Sequence, residues 1–394
     1  MMNHRRFIRY LLIICLFFIL IFIIGRHVTL CPPLPPLLVP SPKDLILRSV
    51  YFDSRPRNGY SNASVFLLEV KKVILQNNLI VGCKIGKYFS TNFKIRNLGE
   101  SIPIHDLHPQ LTHDFVLLDC YNVPIETSST SVSHFSNAFL IYRTEGNQSK
   151  QITVQSEHLF MIPAHHQLPS NSGYKFSVAV CVAVLFGQPP SFTEWLRYQK
   201  AIGVDHIHII AEDSFTKGCA SNDPYFNQLR NDNYISMDVW EKKLYSSEVW
   251  YHSQSLAYED CIYRLRGTYD YIFMLDTDDF FIPRVPGQKG LHYYINKWCP
   301  RSGSCEFDWI DYYPDCGLKG DPGEDGNITS LLVSNARHVW HVPKSLHSPE
   351  SVLDVGIHVP NKFVDDEWNI GYVSQSVAYV AHIRTGKMPP SYLC

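Results

Sequence analysis

The sequence predicts an α/β protein. A mostly parallel sheet fills its C-terminal half, a small β-rich domain precedes it, and an apolar helix stands at the N-terminus. Three observations carry this. From Tyr174 onward, continuous apolar strands alternate with stretches of helical periodicity, the pattern that βαβ units leave in a sequence. Before that, short strands broken by Gly, Pro, Asn and Ser follow one another without helical spacing, as in a small β-sandwich-like domain. Near the start, the run from Tyr10 to Ile24 contains no charged residue.

The chain has 394 residues, enough for about two domains. Its 45% hydrophobic and 18% charged content suits a foldable chain rather than a disordered one. The formal net charge is -2, with no Lys/Arg cluster beyond the first residues, so nothing suggests a nucleic-acid partner.

Arg5, Arg6 and Arg9 precede the apolar run, and Arg26 and His27 follow it. No small-x-small cleavage site closes it, so it reads as a retained signal anchor over 10–25. It is short beside the ~20 residues of a usual span. A thin bilayer, with Arg9 snorkelling, accommodates it. The positive-inside rule then makes 1–9 a cytosolic tail and puts the rest, after a single span, in the lumen. Asn62-Ala63-Ser64, Asn147-Gln148-Ser149 and Asn327-Ile328-Thr329 are glycosylation acceptors in that compartment. The 11 cysteines form no CxxC pair, which favours lumenal disulfides over a zinc ribbon, without fixing who pairs with whom.

Residues 26–50 hold Pro32, Pro33, Pro35, Pro36, Pro40 and Pro42 and read as a stiff stem. The β-rich domain is expected over 51–170, with strands at Val65–Val70, Leu79–Cys83, Phe115–Asp119, Phe139–Tyr142 and Gln151–Val154, and a linker at Met161–Ser172. The α/β domain is expected over 171–394. Lys175–Phe186 reads as a buried strand. Ser191–Ile202 follows as a helix with Phe192, Trp195, Leu196 and Gln199 on one face, capped by Ser191 and stopped by Gly203. Val204–Ala211, Tyr234–Val239 and Tyr269–Leu275 are the next strands; Pro224–Arg230 and Ser253–Leu265 are the helices between them. Gly317–Gly326 imitates collagen triplets but is too short for a triple helix, and reads as a loop.

The chemistry centres on Asp276-Thr277-Asp278-Asp279, where a buried strand runs straight into carboxylates. On an extended backbone, residues two apart point to one side. At the carboxyl end of a parallel strand, Asp276 and Asp278 would face the ligand crevice. Two such acids repel each other unless a cation lies between them. A hard divalent cation fits there, and would bridge to the diphosphate of a nucleotide sugar and stabilise it as it leaves. An imidazole would complete the set, and oxygen with imidazole suits Mn2+ better than Mg2+. His382 and His358, each at a predicted strand end, are the candidates, with His382 preferred. His338, His341 and His347 match no metal spacing. Lys344 and Arg384 are candidates to hold phosphates, and Gln254 and Asp260 to face the nucleotide. Among Asp308, Asp311 and Asp315, we select Asp311 as the base that deprotonates an acceptor hydroxyl.

Together these residues resemble a known family. Phe192–His206 is similar to the "EW…YH…GV-D-H" opening of glycosyltransferase family 92. Ser253–Cys261 resembles its "Q…A…DC" helix, and Asp276–Phe280 its "D-x-D-E-F" motif. Lys344–Pro349, Gly356–His358 and His382–Arg384 resemble its "K…P", "G-x-H" and "H-Y-R" blocks. The ordered match runs from Tyr174 to Arg384. It implies a GT-A fold, inversion, Mn2+ and a UDP-sugar donor, with β-galactosyl transfer from UDP-galactose to a glycan on a glycoprotein or polysaccharide. It also implies a type II Golgi membrane protein. Gln199, Asp279 and Ile383 stand where the family usually has His, Glu and Tyr.

Two other readings compete: a glycan-binding module with a degenerate transferase domain, and a metal-dependent hydrolase. The latter lacks the dense His/Asp cluster of a two-metal site.

Overall fold

A computed structural model describes residues 45–53, 63–71, 80–85, 88–97, 113–121, 138–143, 149–154, 159–161, 176–184, 192–212, 215, 223–240, 254–300, 302–313, 336–356, 358–364 and 366–383. The expected cytosolic tail, the anchor over 10–25 and most of the stem lie outside the described residues, as do the three glycosylation triplets apart from Ala63, Ser64 and Ser149. Among the described residues, no helix is long and apolar enough to cross a membrane. Residues Pro40–Cys394 form one compact unit.

Among the described residues, the regular elements of the N-terminal half are strands: β1 (Leu45–Asp53), β2 (Ala63–Lys71), β3 (Ile80–Ile85), β4 (Tyr88–Ser90), β5 (Phe93–Asn97), β6 (His113–Cys120), β7 (Ala138–Arg143), β8 (Ser149–Val154) and β9 (Leu159–Met161). β1 begins inside the stretch read as stem. Five strands form a sheet in the order β5-β6-β2-β1-β9, and four form another in the order β4-β3-β7-β8. Val65–Leu68 on β2 and Val116–Leu118 on β6 are wholly enclosed, so the first sheet is covered on both faces. A Cys83–Cys120 disulfide joins the two sheets.

The C-terminal half opens with β10 (Val178–Val184), α1 (Phe192–Ala201), β11 (His206–Glu212), α2 (Pro224–Asn231), β12 (Ile235–Trp240), α3 (Gln254–Leu265) and β13 (Tyr271–Met274). Its four strands lie parallel in the order β12-β11-β10-β13. Strand order therefore reverses between β10 and β13, and ligands of open α/β sheets bind outside the strand ends at such a point. α1 forms because Phe192, Trp195, Leu196 and Gln199 recur at helical spacing, and all four are buried. It stops at Gly203, whose φ of 92° favours a residue without Cβ. Asp223 caps α2 by accepting from the Tyr225 and Phe226 amides at 2.8 and 3.1 Å, with Pro224 at the first helical position.

The rest is β14 (Asp279–Pro283), α4 (Leu291–Trp298), β15 (Ser304–Tyr313), β16 (Ala336–His347), β17 (Val352–Val355), β18 (Pro360–Phe363), β19 (Ile370–Val373) and β20 (Ala378–Ile383). β16, β15, β20 and β14 extend the parallel sheet beyond β13, β19 pairs with β15, and β17 pairs with β18. The whole is a mixed nine-stranded sheet in which five of the eight strand pairings are parallel and three, β13–β16, β14–β20 and β15–β16, are antiparallel.

α3 lies between this sheet and the N-terminal strands, and 11 of its residues are buried. Asp260 accepts from the Tyr51 hydroxyl at 2.7 Å and from Ser49. Arg266, just past the helix, pairs with Asp53 and, at 2.9 Å, with Glu350. Arg96 on β5 reaches Asp119 at 2.8 Å and Asp354 at 2.9 Å. A Cys181–Cys261 disulfide fastens α3 to β10, and Cys299–Cys305 fastens the end of α4 to β15.

Candidate active site

β13 ends at the switch point, and the next residues make a tight turn instead of continuing extended. The Asp279 amide donates to the Asp276 carbonyl at 3.1 Å. The Asp276 amide donates to the Asp279 carboxylate at 2.9 Å. Asp276 and Asp278 do come together, but a turn gathers them, not the two-residue period of a strand. The turn is pinned from outside: the Ile383 amide donates to the Asp278 carbonyl at 2.9 Å. The Trp195 indole donates to the Asp279 carbonyl at 2.7 Å, Gln199 reaches the same carbonyl at 3.4 Å, and the Tyr198 hydroxyl donates to the Phe281 carbonyl.

β20 runs antiparallel to β14 with His382 opposite Asp279, so the imidazole enters the turn. Side-chain ligand atoms of Asp276, Asp278, Asp279 and His382 lie within 4.8 Å of one another. The His382 Nδ1 is 2.7 Å from Asp279 and 3.4 Å from Asp278. Lys344, on β16, places its ammonium 2.7 Å from Asp276 and 2.9 Å from Asp279. Gln254, at the start of α3, donates to Asp276 at 2.7 Å, and the Tyr258 hydroxyl one turn later lies 3.3 Å from the same oxygen. The Trp309 indole donates to Asp279 at 3.1 Å, and its ring carries the Lys344 ammonium 4.9 Å from its centroid.

The electrostatics sort the acids. Lys344 and Asp279 are 0% exposed. Burial alone would raise the Asp279 carboxyl, but Lys344 and His382 outweigh it and hold it well below the usual range. Burial pushes the Asp278 carboxyl up to about 6; His382 opposes this, and Asp279 and Asp276 add to it. Burial works against the charged His382, yet Asp279 and Asp278 raise it. Three carboxylates thus share one lysine and one imidazole, and the excess charge is negative. Oxygen donors with an imidazole, and a His382 Nε2 that is buried without a partner, fit a divalent cation.

Most of the residues selected from sequence converge here: Asp276, Asp278, His382, Lys344 and Gln254. Asp311 sits on β15 in register with His382 on the neighbouring strand. It shares a sheet face with Trp309, two residues before it, and is fully buried. Arg384 lies outside the described residues, as does Asp315. His358 is not in the four-residue set; its ring packs 5.2 Å from that of Trp309, and burial pushes it down to about 4, with Lys344 adding to the effect. Asp260 belongs to the α3 clamp and not to the site. Asp308 accepts from the Tyr372 hydroxyl at 2.8 Å and the Gln375 amide at 3.1 Å, holding the β19–β20 connection. His347 bonds Ser304 at 3.1 Å and is structural. Side chains of His338 and His341 lie outside the described residues.

Sequence reasoning missed the weight of Asp279, Tyr258, Trp195 and Trp309. Tyr258 was within reach, because it follows Gln254 by four residues on one helix face. The two tryptophans come from distant segments and carry no local signal.

The profile of glycosyltransferase family 92 matches residues 176–391, and the chain belongs to that family. It is similar to a β-1,4-galactosyltransferase, galt-1, of Caenorhabditis elegans, with 23% identity over 54% of this chain and 49% of that one. It is also similar to a glycosyltransferase family 92 protein of Arabidopsis thaliana, with 25% identity over 54% of this chain and 36% of the other. The matches thus span half or less of those relatives' lengths.

Proposed function

We propose that the protein transfers a hexose, galactose from UDP-galactose, to a glycan acceptor with inversion and with a divalent cation, Mn2+, at the acid turn. The observation that carries this is the convergence of Asp276, Asp278 and His382 at the switch point of the sheet, with the negative excess left after Lys344. The galactose assignment rests on the activity for which the Caenorhabditis elegans relative is named and on the family resemblance. In this reading the sheet is of GT-A type. Asp276, Asp278 and His382 would hold the cation, which would neutralise charge on the departing diphosphate. Gln254 and Tyr258 orient Asp276. Lys344 keeps Asp279 ionised and adds positive potential where the phosphates lie. Arg384, just beyond His382, is placed by sequence to meet a phosphate.

The acceptor hydroxyl attacks the anomeric carbon from the face opposite the diphosphate. The new C–O bond forms as the bond to the diphosphate oxygen breaks, and the hydroxyl proton passes to the Asp311 carboxylate. Displacement from the opposite face inverts the anomeric centre. The arginine-flanked run over 10–25 and the glycosylation triplets support a single-pass type II orientation with the catalytic part in the Golgi lumen.

The test is calorimetric titration of the full chain with UDP and UDP-sugars, with and without Mn2+. Cation-dependent binding, strongest for UDP-galactose and lost in Asp278→Ala with the fold intact, is expected. Binding of glycans with no turnover of any UDP-sugar would sink the transferase reading in favour of a lectin-like one.

A further inference from the structure

The four side chains gathered at the acid turn, Asp276, Asp278, Asp279 and His382, are not equivalent, and their hydrogen bonds show how. A carboxylate has about four acceptor positions. Those of Asp279 are all taken: one oxygen receives the His382 Nδ1 at 2.7 Å and the Trp309 indole at 3.1 Å. The other receives Lys344 at 2.9 Å and the Asp276 amide at 2.9 Å. Asp279 is also wholly buried. Asp276 is three-quarters committed, to Gln254, Tyr258 and Lys344. Asp278 has only the imidazole, at 3.4 Å, and its side chain is 30% exposed. His382 itself is 4% exposed, and its Nε2 is buried without a partner. A buried nitrogen with an unused lone pair is costly unless a missing group supplies the partner.

We propose that Asp279 is not a ligand but a positioning residue. It accepts the Nδ1–H of His382, fixes that tautomer, and thereby presents Nε2 as the atom that takes the cation together with Asp278. The inference rests on the cation reading above and assigns roles within it. It is the arrangement in which an outer carboxylate orients a ligating imidazole and raises its basicity. It also explains a fully enclosed acid beside two that reach solvent: Asp279 is built into the protein, and Asp278 into the ligand crevice.

Histidine-selective 15N NMR on the full chain tests this directly. His382→Gln assigns the signal. At pH 9 without cation, Nδ1 is expected to carry the proton and Nε2 to be bare. Added Mg2+, a diamagnetic substitute, should shift Nε2 and leave Nδ1 protonated. A proton on Nε2 in the cation-free protein, or loss of the Nδ1 proton when the cation is added, overturns the proposal. Calorimetry with Mn2+ alone supplies the second arm. Asp279→Asn should weaken binding about 10- to 100-fold, and Asp279→Glu should restore most of it. In an His382→Ala background, Asp279→Asn should cost less than about twofold, because its effect passes through the imidazole. An equal loss in both backgrounds marks a merely structural role and refutes the proposal. If the asparagine variant fails to fold, the NMR arm still decides. If no cation binds while the cation-free spectrum shows the Nδ1–H tautomer, the cation reading fails and the Asp279–His382 pair stands.

Discussion

Replacing Lys344 by methionine removes the only lysine that touches the acid turn among the described residues, while keeping most of its packing volume. Its ammonium lies 2.7 Å from Asp276 and 2.9 Å from Asp279. The two acids answer differently. Asp276 keeps Gln254 and Tyr258, and its side chain is 27% exposed, so water replaces much of the loss. Asp279 is fully buried and becomes an under-compensated anion. Breaking a buried pair from one side costs about 3–5 kcal/mol. Asp279 retains His382, Trp309 and the Asp276 amide as donors, which places the cost near the lower end, about 3 kcal/mol. With an m-value of about 3 kcal/mol/M, the urea midpoint falls by about 1 M. Equilibrium unfolding in EDTA, followed by tryptophan fluorescence, measures this. Asp279→Asn in the same chain should recover most of the loss, because it removes the stranded charge. Millimolar Mn2+ should recover part of it, since a ligand of the folded state stabilises by mass action. A midpoint shift under about 0.3 M, or an equal shift in the Asp279→Asn background, would refute the claim that Lys344 serves chiefly to balance Asp279.

Three further outcomes follow from the same geometry. Tyr258→Phe deletes the hydroxyl 3.3 Å from Asp276; losing a hydrogen bond worth about 0.5–1.5 kcal/mol should raise the KM for the donor roughly 2- to 10-fold in steady-state kinetics, with unfolding unchanged within about 1 kcal/mol. Changing Cys181 and Cys261 together to alanine frees a loop with a sequence separation of 80, and should cost about 4 kcal/mol by thermal or chemical denaturation. His347 is buried and pushed down to about 3, so the folded state keeps it neutral while the unfolded chain protonates it below about pH 6.5. Its contribution is therefore intact above that pH and is lost as pH falls towards 3, by about 1.4 kcal/mol per pH unit. His347→Asn should accordingly lose about 2 kcal/mol less than the parent between pH 6.5 and 5.

How much of this was legible depends on how local each signal is. The βαβ stretch from Val178 to Met274 could be read nearly to the residue, because apolar runs and helical faces are written in neighbouring positions. Of the elements after the acid turn, the strands near His358 and His382 were read, as β17 and β20, and the others were not. β15 and β16 alternate apolar, aromatic and charged residues, and their pairing is set by partners up to 43 positions away, as for Ser304 and His347. The helix α4, Leu291–Trp298, was overlooked because two tyrosines and a tryptophan in eight residues look more like strand than helix. Within the site, Asp276, Asp278 and His382 were found for a partly mistaken reason. The acids lie on a turn, and their meeting depends on the β14–β20 register, which no spacing along the chain encodes. Gln199, where the resemblance to the family leads one to expect His, is buried against the Asp279 carbonyl, so that position belongs to the brace of the turn.

The position of α3 has a consequence for where the protein can be cut. One end of that helix, through Gln254 and Tyr258, steadies Asp276; the other end is bolted to strands that precede the family-matched region. A fragment limited to residues 176–391 would strip Ser49 and Tyr51 from Asp260, Asp53 from Arg266, and Arg96 from Asp354. Each leaves a charged group designed for an enclosed setting facing water or, worse, a collapsed surface. The family-matched stretch is thus smaller than the packed unit around α3, and the acid turn is steadied through that helix by strands that lie outside the matched residues.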